Sequence, residues 1–528
     1  MYFCRQFQIV NLPFHKTPMK QALITLFAFA AGLALHAKNI TITVKNSLST
    51  NIYQHITGFG AACCDGAMLP YGTDTNPVKL LYGPTSKIGL NIMRMEISPN
   101  FKGDIANTSY DWNGCLPSAK IVKQRGGIVF GTPWSPPGEY KTNGSAQGGN
   151  ADNQGNIRAE LREDCYEKFF PWLNTYLEYM KKNGVNVDAV SIQNEPDWWV
   201  NYSGCLYTPK QQVNLIRNYA HMLDRETYPG VRLISAEPLG FAKEYYDAIL
   251  NNPTAREQVD IFAGHIYGHA PLQYIKPVAD ASKKYKKEIW MTEHSVTDNT
   301  GKLPTWDEQL IFAQELNECM LAGCTGYIYW YMRAHWAFIG TGETKYGTAN
   351  KKNQLLPRAY IMSHYSKHVT GSTRIYALAS AYPSPTTGTP FQTTAYMKGD
   401  SIIVQAINAT KDPYDVKVKL PAMVDSCLYI RSTGNEKSNL CQQVPVTIEE
   451  PLKEIVIPIP ASSVNTFIFN VSHEEETAIR PIEDTPLTRT HSTYYDMLGR
   501  RTTASNGLLI EKRTDGTTRK ILRGSLNR

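Results

Sequence analysis

The chain has 528 residues, room for two or three domains around one large core, and its composition is that of a soluble protein apart from 31 Tyr and 9 Trp. Its formal charge of +7 sits at the ends: residues 1–37 hold Arg5, Lys16 and Lys20 with no acid, and residues 489–528 hold nine Lys or Arg against Asp496, Glu511 and Asp515. The body between them is near neutral, which excludes a nucleic-acid groove.

Lys20 precedes the apolar run Ala22–Leu35, and Ala37 offers a small residue for cleavage. A charged start, a short apolar stretch and a small residue make residues 1–37 a signal peptide. The run is shorter than the ~20 residues of a spanning helix, so an exported protein, secreted or held at the cell surface, is expected. Ile40–Lys45 then alternates like a strand, and residues 38–55 are assigned as an N-terminal strand joining a later β domain.

Eight strand-like runs follow at Ile56–Ala62, Leu90–Ser98, Ile128–Ser135, Ala189–Pro196, Val231–Pro238, Asp260–Tyr267, Glu288–Ser295 and Gly326–Met332. Between them, Glu160–Asn183, Pro209–Tyr228 and Trp306–Ala322 carry apolar residues at helical spacing. Alternating β and α units in that number predict an α/β fold, a (β/α)8 TIM barrel over residues 56–370. Residues 371–472 change to short strands between Gly, Pro, Asn and Ser, which reads as a side β-sandwich. Glu474–Pro486 reads as a linker, and the remainder of 473–528 as a small β-rich tail. Cys427 and Cys441 flank an apparent hairpin where an exported protein could carry a bridge.

Two segments carry the chemistry: Ser191-Ile192-Gln193-Asn194-Glu195-Pro196 and Trp290-Met291-Thr292-Glu293-His294. Each reads as a strand ending on a glutamate, and the C-terminal ends of barrel strands are where active sites form. Arg94, Trp134, Glu237, Tyr267 and Trp330 stand at other strand ends. Two carboxyls facing across a cleft can split a glycosidic bond, one protonating the leaving oxygen and one attacking the anomeric carbon. Glu195 then serves as acid/base. Glu293, as nucleophile, must stay ionised, with Tyr267, His265 and Arg94 as candidate donors. No metal or organic cofactor is called for.

With these come Ile56-Thr57-Gly58-Phe59-Gly60-Ala61, Thr132-Pro133-Trp134-Ser135-Pro136-Pro137, Lys141-Thr142-Asn143-Gly144, Gly264-His265-Ile266-Tyr267-Gly268 and Tyr329-Trp330-Tyr331. In this order the segments resemble glycoside hydrolase family 30, most closely its bacterial xylanase subfamily. The resemblance implies a barrel with an attached β-sandwich, a retaining mechanism, Glu195 as acid/base and Glu293 as nucleophile. It also implies Trp134, Asn194, Tyr267 and Trp330 around the sugar at the reacting carbon. Arg94, Trp198, His265 and Arg333 complete the expected substrate-binding set.

One departure bears on specificity. Glucuronoxylanases of the family resemble one another in two consecutive Arg after the Trp-Tyr motif, the second gripping a glucuronate branch. Here Trp330-Tyr331-Met332-Arg333-Ala334-His335 puts alanine at that second position. A guanidinium gives a bidentate grip on a carboxylate and alanine gives none, with Arg333 or His335 as the available substitutes. The expectation is an endo-β-1,4-xylanase that acts on xylan without a strict need for glucuronate. The alternatives are a glucuronoxylan-specific enzyme, a β-1,6-glucanase, a glucosylceramidase, and a non-catalytic sugar-binding barrel. The tail segments Tyr494–Arg501 and Asp515–Lys520 resemble the C-terminal sorting segments of Bacteroidetes secreted proteins, which implies secretion or anchoring machinery as a partner.

Overall fold

A computed structural model describes residues 37–48, 54–63, 75–99, 112–148, 158–296, 302–346, 350–472, 493–495, 507–512 and 518–523. The expected signal peptide at 1–37 (all but its last residue) and the expected linker lie outside the described residues. Residues up to Ser472 form one compact unit and those from His473 another.

The chain enters on β1 (Lys38–Leu48) and then builds β2 (Gly58–Cys63), β3 (Ile92–Ile97), β4 (Ile128–Pro133), β5 (Ala189–Ser191), β6 (Arg232–Ala236), β7 (Ile261–His265), β8 (Glu288–Glu293) and β9 (Gly326–Tyr329). Strands β2 to β9 pair in sequence order, all parallel, and β9 closes on β2 through Gly58↔Gly326. This is the TIM barrel expected from the eight runs. Strands β3 to β9 end before those runs do, because the chain turns out of the ladder as it delivers the functional residues.

The helices are α1 (Asn76–Leu81), α2 (Leu116–Gln124), α3 (Tyr166–Lys182), α4 (Pro209–Tyr219), α5 (Lys243–Leu250), α6 (Pro253–Gln258), α7 (Pro271–Ser282), α8 (Trp306–Ala322) and α9 (Pro357–Ser366). Local chemistry sets several of their ends. Thr208 and Gln211, like Thr305 and Glu308, make reciprocal capping boxes. Gly323, with φ 114°, stops α8 in a conformation that few other residues adopt. Inside the barrel Ile92, Phe130, Ile234, Ile261, Trp290 and Ile328 form a fully buried plug, so the sheet interior is packed and the open site lies above it.

The side domain uses β10 (Thr373–Ala379), β11 (Phe391–Lys398), β12 (Ser401–Asn408), β13 (Tyr414–Ser432), β14 (Gln442–Val444), β15 (Leu452–Ile459) and β16 (Ser463–Val471). The pairings run β1-β10-β11-β12-β16-β13, and the first half of β13 returns to β1 in parallel register, Ile40↔Val416. The sheet thus wraps around its own core of Ile42, Val404, Val416, Val418, Phe467 and Phe469. Buried polar links fix it to the barrel. His364 on α9 reaches Thr466 Oγ1 at 2.7 Å and Ser432 Oγ at 2.9 Å, and Asn317 on α8 donates to Gln392 at 3.1 Å. Burial pushes the His364 imidazole down to about 3, so these contacts are made by a neutral ring.

Cys427 and Cys441 are free thiols. Cys441 Sγ approaches Ser363 Oγ and the Tyr360 carbonyl, both at 3.3 Å. In the tail unit, β17 (Thr493–Tyr495), β18 (Gly507–Lys512) and β19 (Thr518–Arg523) form a three-stranded antiparallel sheet. Among the described residues no helix is long and apolar enough to cross a membrane.

Candidate active site

Glu195 and Glu293 meet above the barrel plug. With His265 they place one ligand atom each within 4.8 Å of one another. Backbone bonds continue past the strand ends to hold them: Asn194 N–H donates to the Pro133 carbonyl at 2.8 Å and Glu195 N–H to the Glu237 carbonyl at 3.0 Å. Glu195 has φ 46° and Glu237 has φ 55°. Such left-handed backbone at non-glycine residues costs roughly 1–3 kcal/mol and gathers at functional sites.

Glu293 is served by two of its three expected donors. Arg94 Nη1 lies 2.5 Å from its Oε2, and the Tyr267 hydroxyl donates to its Oε1 at 3.0 Å. The third, His265, turns instead to Glu195, with Nδ1 2.9 Å from Oε1, and keeps Nε2 3.9 Å from Glu293. Arg94 Nη2 also donates to Asn194 Oδ1 at 2.7 Å. That bond fixes the amide so that its NH2 side is left for the cleft.

Glu237 stands third in this group. It is fully buried, 3.4 Å from Arg94 Nη2, and accepts from Thr132 Oγ1 at 3.0 Å. Burial pushes its carboxyl up, but Arg94 and His265 outweigh that and hold it at about 2. For His265, burial works against the charge, while Glu293, Glu195 and Glu237 favour it and raise the ring to about 9. Burial, with Glu195 alongside, pushes the Glu293 carboxyl up, opposed by His265 and Arg94. A divalent cation placed between Glu195, His265 and Glu293 would face the fixed charge of Arg94, so the donor set suits it poorly.

Above these groups is a cleft of about 710 Å³, walled by Trp134, Asn194, Trp198, Tyr202, Tyr267 and Trp330 among others. Trp134 and Trp330 lie 5.8 Å apart between ring centres, and the Arg94 guanidinium lies 4.7 Å from the Trp134 ring. Lys141 is buried and donates to the carbonyls of Ala146, Gln147 and Gly204 at 3.1, 2.9 and 2.6 Å. It pins together two loops that bring Gln147, Tyr202 and Ser203 to the cleft wall. A slightly larger hollow of about 800 Å³, between α7 and the side domain, has no carboxylate in its wall.

Of the residues expected to bind substrate, Trp134, Asn194, Trp198, Tyr267 and Trp330 line this cleft. Arg94 and His265 do not: they are fully buried beneath the carboxylates and position them. Arg333 is also buried and lies off the cleft wall, because its loop folds back to bridge Ile339. Glu237 is the site residue that the motif reading left without a role. Its signal was available, since Ala236-Glu237-Pro238 ends a strand just as Asn194-Glu195-Pro196 does.

A parallel eight-stranded barrel with two opposed glutamates at its C-terminal face has the make-up of a glycoside hydrolase. Residues 166–332 match the family model described as glycosyl hydrolase catalytic core. Glucuronoxylanase XynC of Bacillus subtilis (strain 168) is 26% identical over 393 residues, 73% of this chain and 82% of that protein. The structure of the glycoside hydrolase family 30 subfamily 8 xylanase Xyn30A from Clostridium acetobutylicum superposes with TM-score 0.66 and 26% identity, over 82% of this chain and all of that one. A family 30 endoxylanase from Clostridium papyrosolvens C71 gives TM-score 0.65 and 25% identity, again over 82% of this chain and all of that one. The chain is a glycoside hydrolase, and it resembles family 30 and the bacterial xylanases within it.

Proposed function

We propose that this enzyme is a retaining endo-β-1,4-xylanase, exported from the cell, that cuts xylan without requiring glucuronate branches. The observation that carries the reading is the approach of Glu195 and Glu293 oxygens to within 4.8 Å. Retaining enzymes hold their carboxyls about 5–5.5 Å apart, whereas inverting ones leave roughly 6.5–9.5 Å for a water.

In this reading Glu195 carries a proton on the oxygen away from His265 and gives it to the leaving sugar. Glu293, held by bonds from Arg94 and Tyr267, attacks the anomeric carbon as the carboxylate and the glycosidic C–O bond breaks. Glu195, now a carboxylate, takes a proton from water, whose oxygen attacks the same carbon and frees Glu293 with net retention. His265 Nδ1 holds Glu195 Oε1 at 2.9 Å and fixes the orientation of the carboxyl. The Asn194 amide faces a sugar hydroxyl beside the reacting carbon. Trp134 and Trp330 offer faces for the sugar ring.

Independence from glucuronate rests on the loop after β9. Ala334 is 1% exposed, and neither Arg333 nor His335 lines the cleft. Export rests on the apolar run before Ala37.

The test incubates the purified protein with glucuronoxylan, arabinoxylan, linear xylooligosaccharides and β-1,6-glucan, with early products followed by NMR. Cleavage of linear xylan chains as readily as glucuronoxylan, giving the β-anomer first, is expected. The α-anomer first would sink the retaining mechanism. Strict dependence on glucuronate would overturn the account of the loop, and activity confined to the glucan would overturn the xylanase reading.

A further inference from the structure

We infer that the cleft continues over Trp198 into a second hollow, which binds the distal part of the leaving-group half of a neutral β-linked sugar chain. This rests on the xylanase reading and deepens it. A hollow of about 520 Å³ lies beside the catalytic cleft, and the two share Trp198 and Leu239 in their walls. Trp198 is 52% exposed. An indole left open on a ridge between two depressions offers its face to a sugar ring.

The position of Glu195 sets the direction. Trp198 follows it by three residues, and its N–H donates to the Glu195 carbonyl at 3.1 Å. The acid protonates the leaving oxygen, so the departing chain begins on Glu195's side of the bond. From there the shared Trp198 and Leu239 lead to the second hollow.

Its far wall is built, not incidental. His269 Nδ1 lies 2.6 Å from the Tyr267 carbonyl, and its ring meets the Tyr274 ring edge-on at 4.4 Å between centres. Gly240 lets the ring sit flush on the neighbouring loop, where a Cβ would come within 2.3 Å of it. With Nδ1 donating to the carbonyl, Nε2 is left for a sugar hydroxyl. Tyr267 joins the two places, with its hydroxyl on Glu293 and its carbonyl on His269. At the rim, Lys243 is paired with Asp247 at 2.5 Å and stands next to Glu244. The charges are mixed and mostly answered, which favours an uncharged chain over an anionic one.

The experiment measures kcat/KM on linear xylooligosaccharides of increasing length and maps the cut with a label at the reducing end. In the wild type, units added on the leaving side beyond those next to the cut should still raise kcat/KM. Ala242→Trp places a bulky ring in the hollow and should lower the ratio of long-chain to short-chain kcat/KM about tenfold. An unchanged ratio in a folded variant would overturn the inference. Should the variant lose both substrates alike with a lowered Tm, the wild-type length series decides alone: a plateau at the first leaving-side unit rejects the second hollow. Wild-type inactivity on every length would defeat the xylanase reading, and this inference with it.

Discussion

His265 Nε2 and Glu237 Oε1 face each other across 3.9 Å, and neither has a hydrogen-bond partner among the described residues. They belong to a buried set of five charged groups. Arg94 enters from β3, Glu195 follows β5, Glu237 follows β6, His265 ends β7 and Glu293 ends β8. With Arg94 and His265 positive, three ionised carboxylates would leave one excess negative charge in a site that excludes most water. One proton brings the set to neutrality. The Arg94 guanidinium favours ionised Glu237 and opposes the burial that pushes the Glu293 carboxyl up. Like charges this close cannot all persist in a medium of low dielectric.

Glu237 is therefore a positioning residue with an electrostatic signature. Glu237→Gln removes a negative charge facing both His265 and Arg94, so the His265 ring should fall from about 9. This weakens the arrangement around Glu195. We expect kcat to fall by about tenfold with KM little changed, and the alkaline limb of the kcat profile to move to lower pH. A variant with reduced kcat but an unmoved pH profile would leave Glu237 a purely structural role.

The same groups set a pH dependence of stability. Glu237 is held below its ordinary 4.5, at about 2, so its contribution is present above pH 4.5 and is lost as pH falls through 2. His265 is raised above its ordinary 6.5, to about 9, so its contribution is present below pH 6.5 and is lost as pH rises through 9. Glu293, pushed up, has the opposite effect and costs stability once it ionises. Comparing wild type with Glu237→Gln separates these. The difference in Tm should be largest between about pH 4.5 and 6.5 and shrink on either side. A difference constant from pH 3 to 10 would refute the coupling.

Glu195→Gln should separate the two chemical steps. Losing a general acid costs about 10²–10⁴-fold on xylan, whose leaving sugar needs a proton. An aryl xyloside with a nitrophenolate leaving group needs no such help in the first step. Its bond cleavage should continue, with a burst of nitrophenol as the glycosyl-enzyme accumulates. Equal losses on both substrates, without a burst, would assign Glu195 another role.

No disulfide should contribute to stability at Cys427 and Cys441. The register Arg431↔Gln442 of β13 with β14 puts Cys441 beside Ser432, five positions from Cys427. At about 3.3 Å per residue that is roughly 17 Å, beyond the ~7 Å a bridge tolerates between Cα atoms. Tm should be the same with and without dithiothreitol, and thiol titration of the unfolded chain should count both as free.

The fold was legible where periodicity and count agree. Eight apolar runs between helical segments admit few architectures, and the helical run read at Trp306–Ala322 has the bounds of α8. Glu195 and Glu293 were legible because each ends a strand inside a distinctive segment. What lies beneath them was not. Arg94, His265 and Glu237 carry residue types that fit a substrate site equally well. Only packing shows that they are fully buried, with Arg94 and His265 bonded to the carboxylates and Glu237 beside that pair. The partner of His265 depends on which of two glutamates its ring turns to, a torsion that sequence spacing does not encode. Likewise Trp198 was visible as an aromatic after the acid/base, but the second hollow beyond it is made by Gly240 and His269 from two other loops.

The alanine at 334 looks in the sequence like a lost guanidinium, and a simple reversal would be expected to restore glucuronate recognition. The structure argues otherwise. Ala334 is 1% exposed and packs in the main core with Met332, Ala337 and Phe338. The adjacent Arg333 is buried and does not line the cleft, and His335 lines a different hollow beside Leu355 and Tyr360. An arginine placed at 334 meets packed side chains, and overpacking of this kind costs about 1–3 kcal/mol. Ala334→Arg should therefore lower Tm by a few degrees and leave the ratio of glucuronoxylan to linear-xylan cleavage unchanged. A gain in that ratio without loss of Tm would mean that the loop can open toward the cleft and that one side chain, not the path of the backbone, decides the specificity.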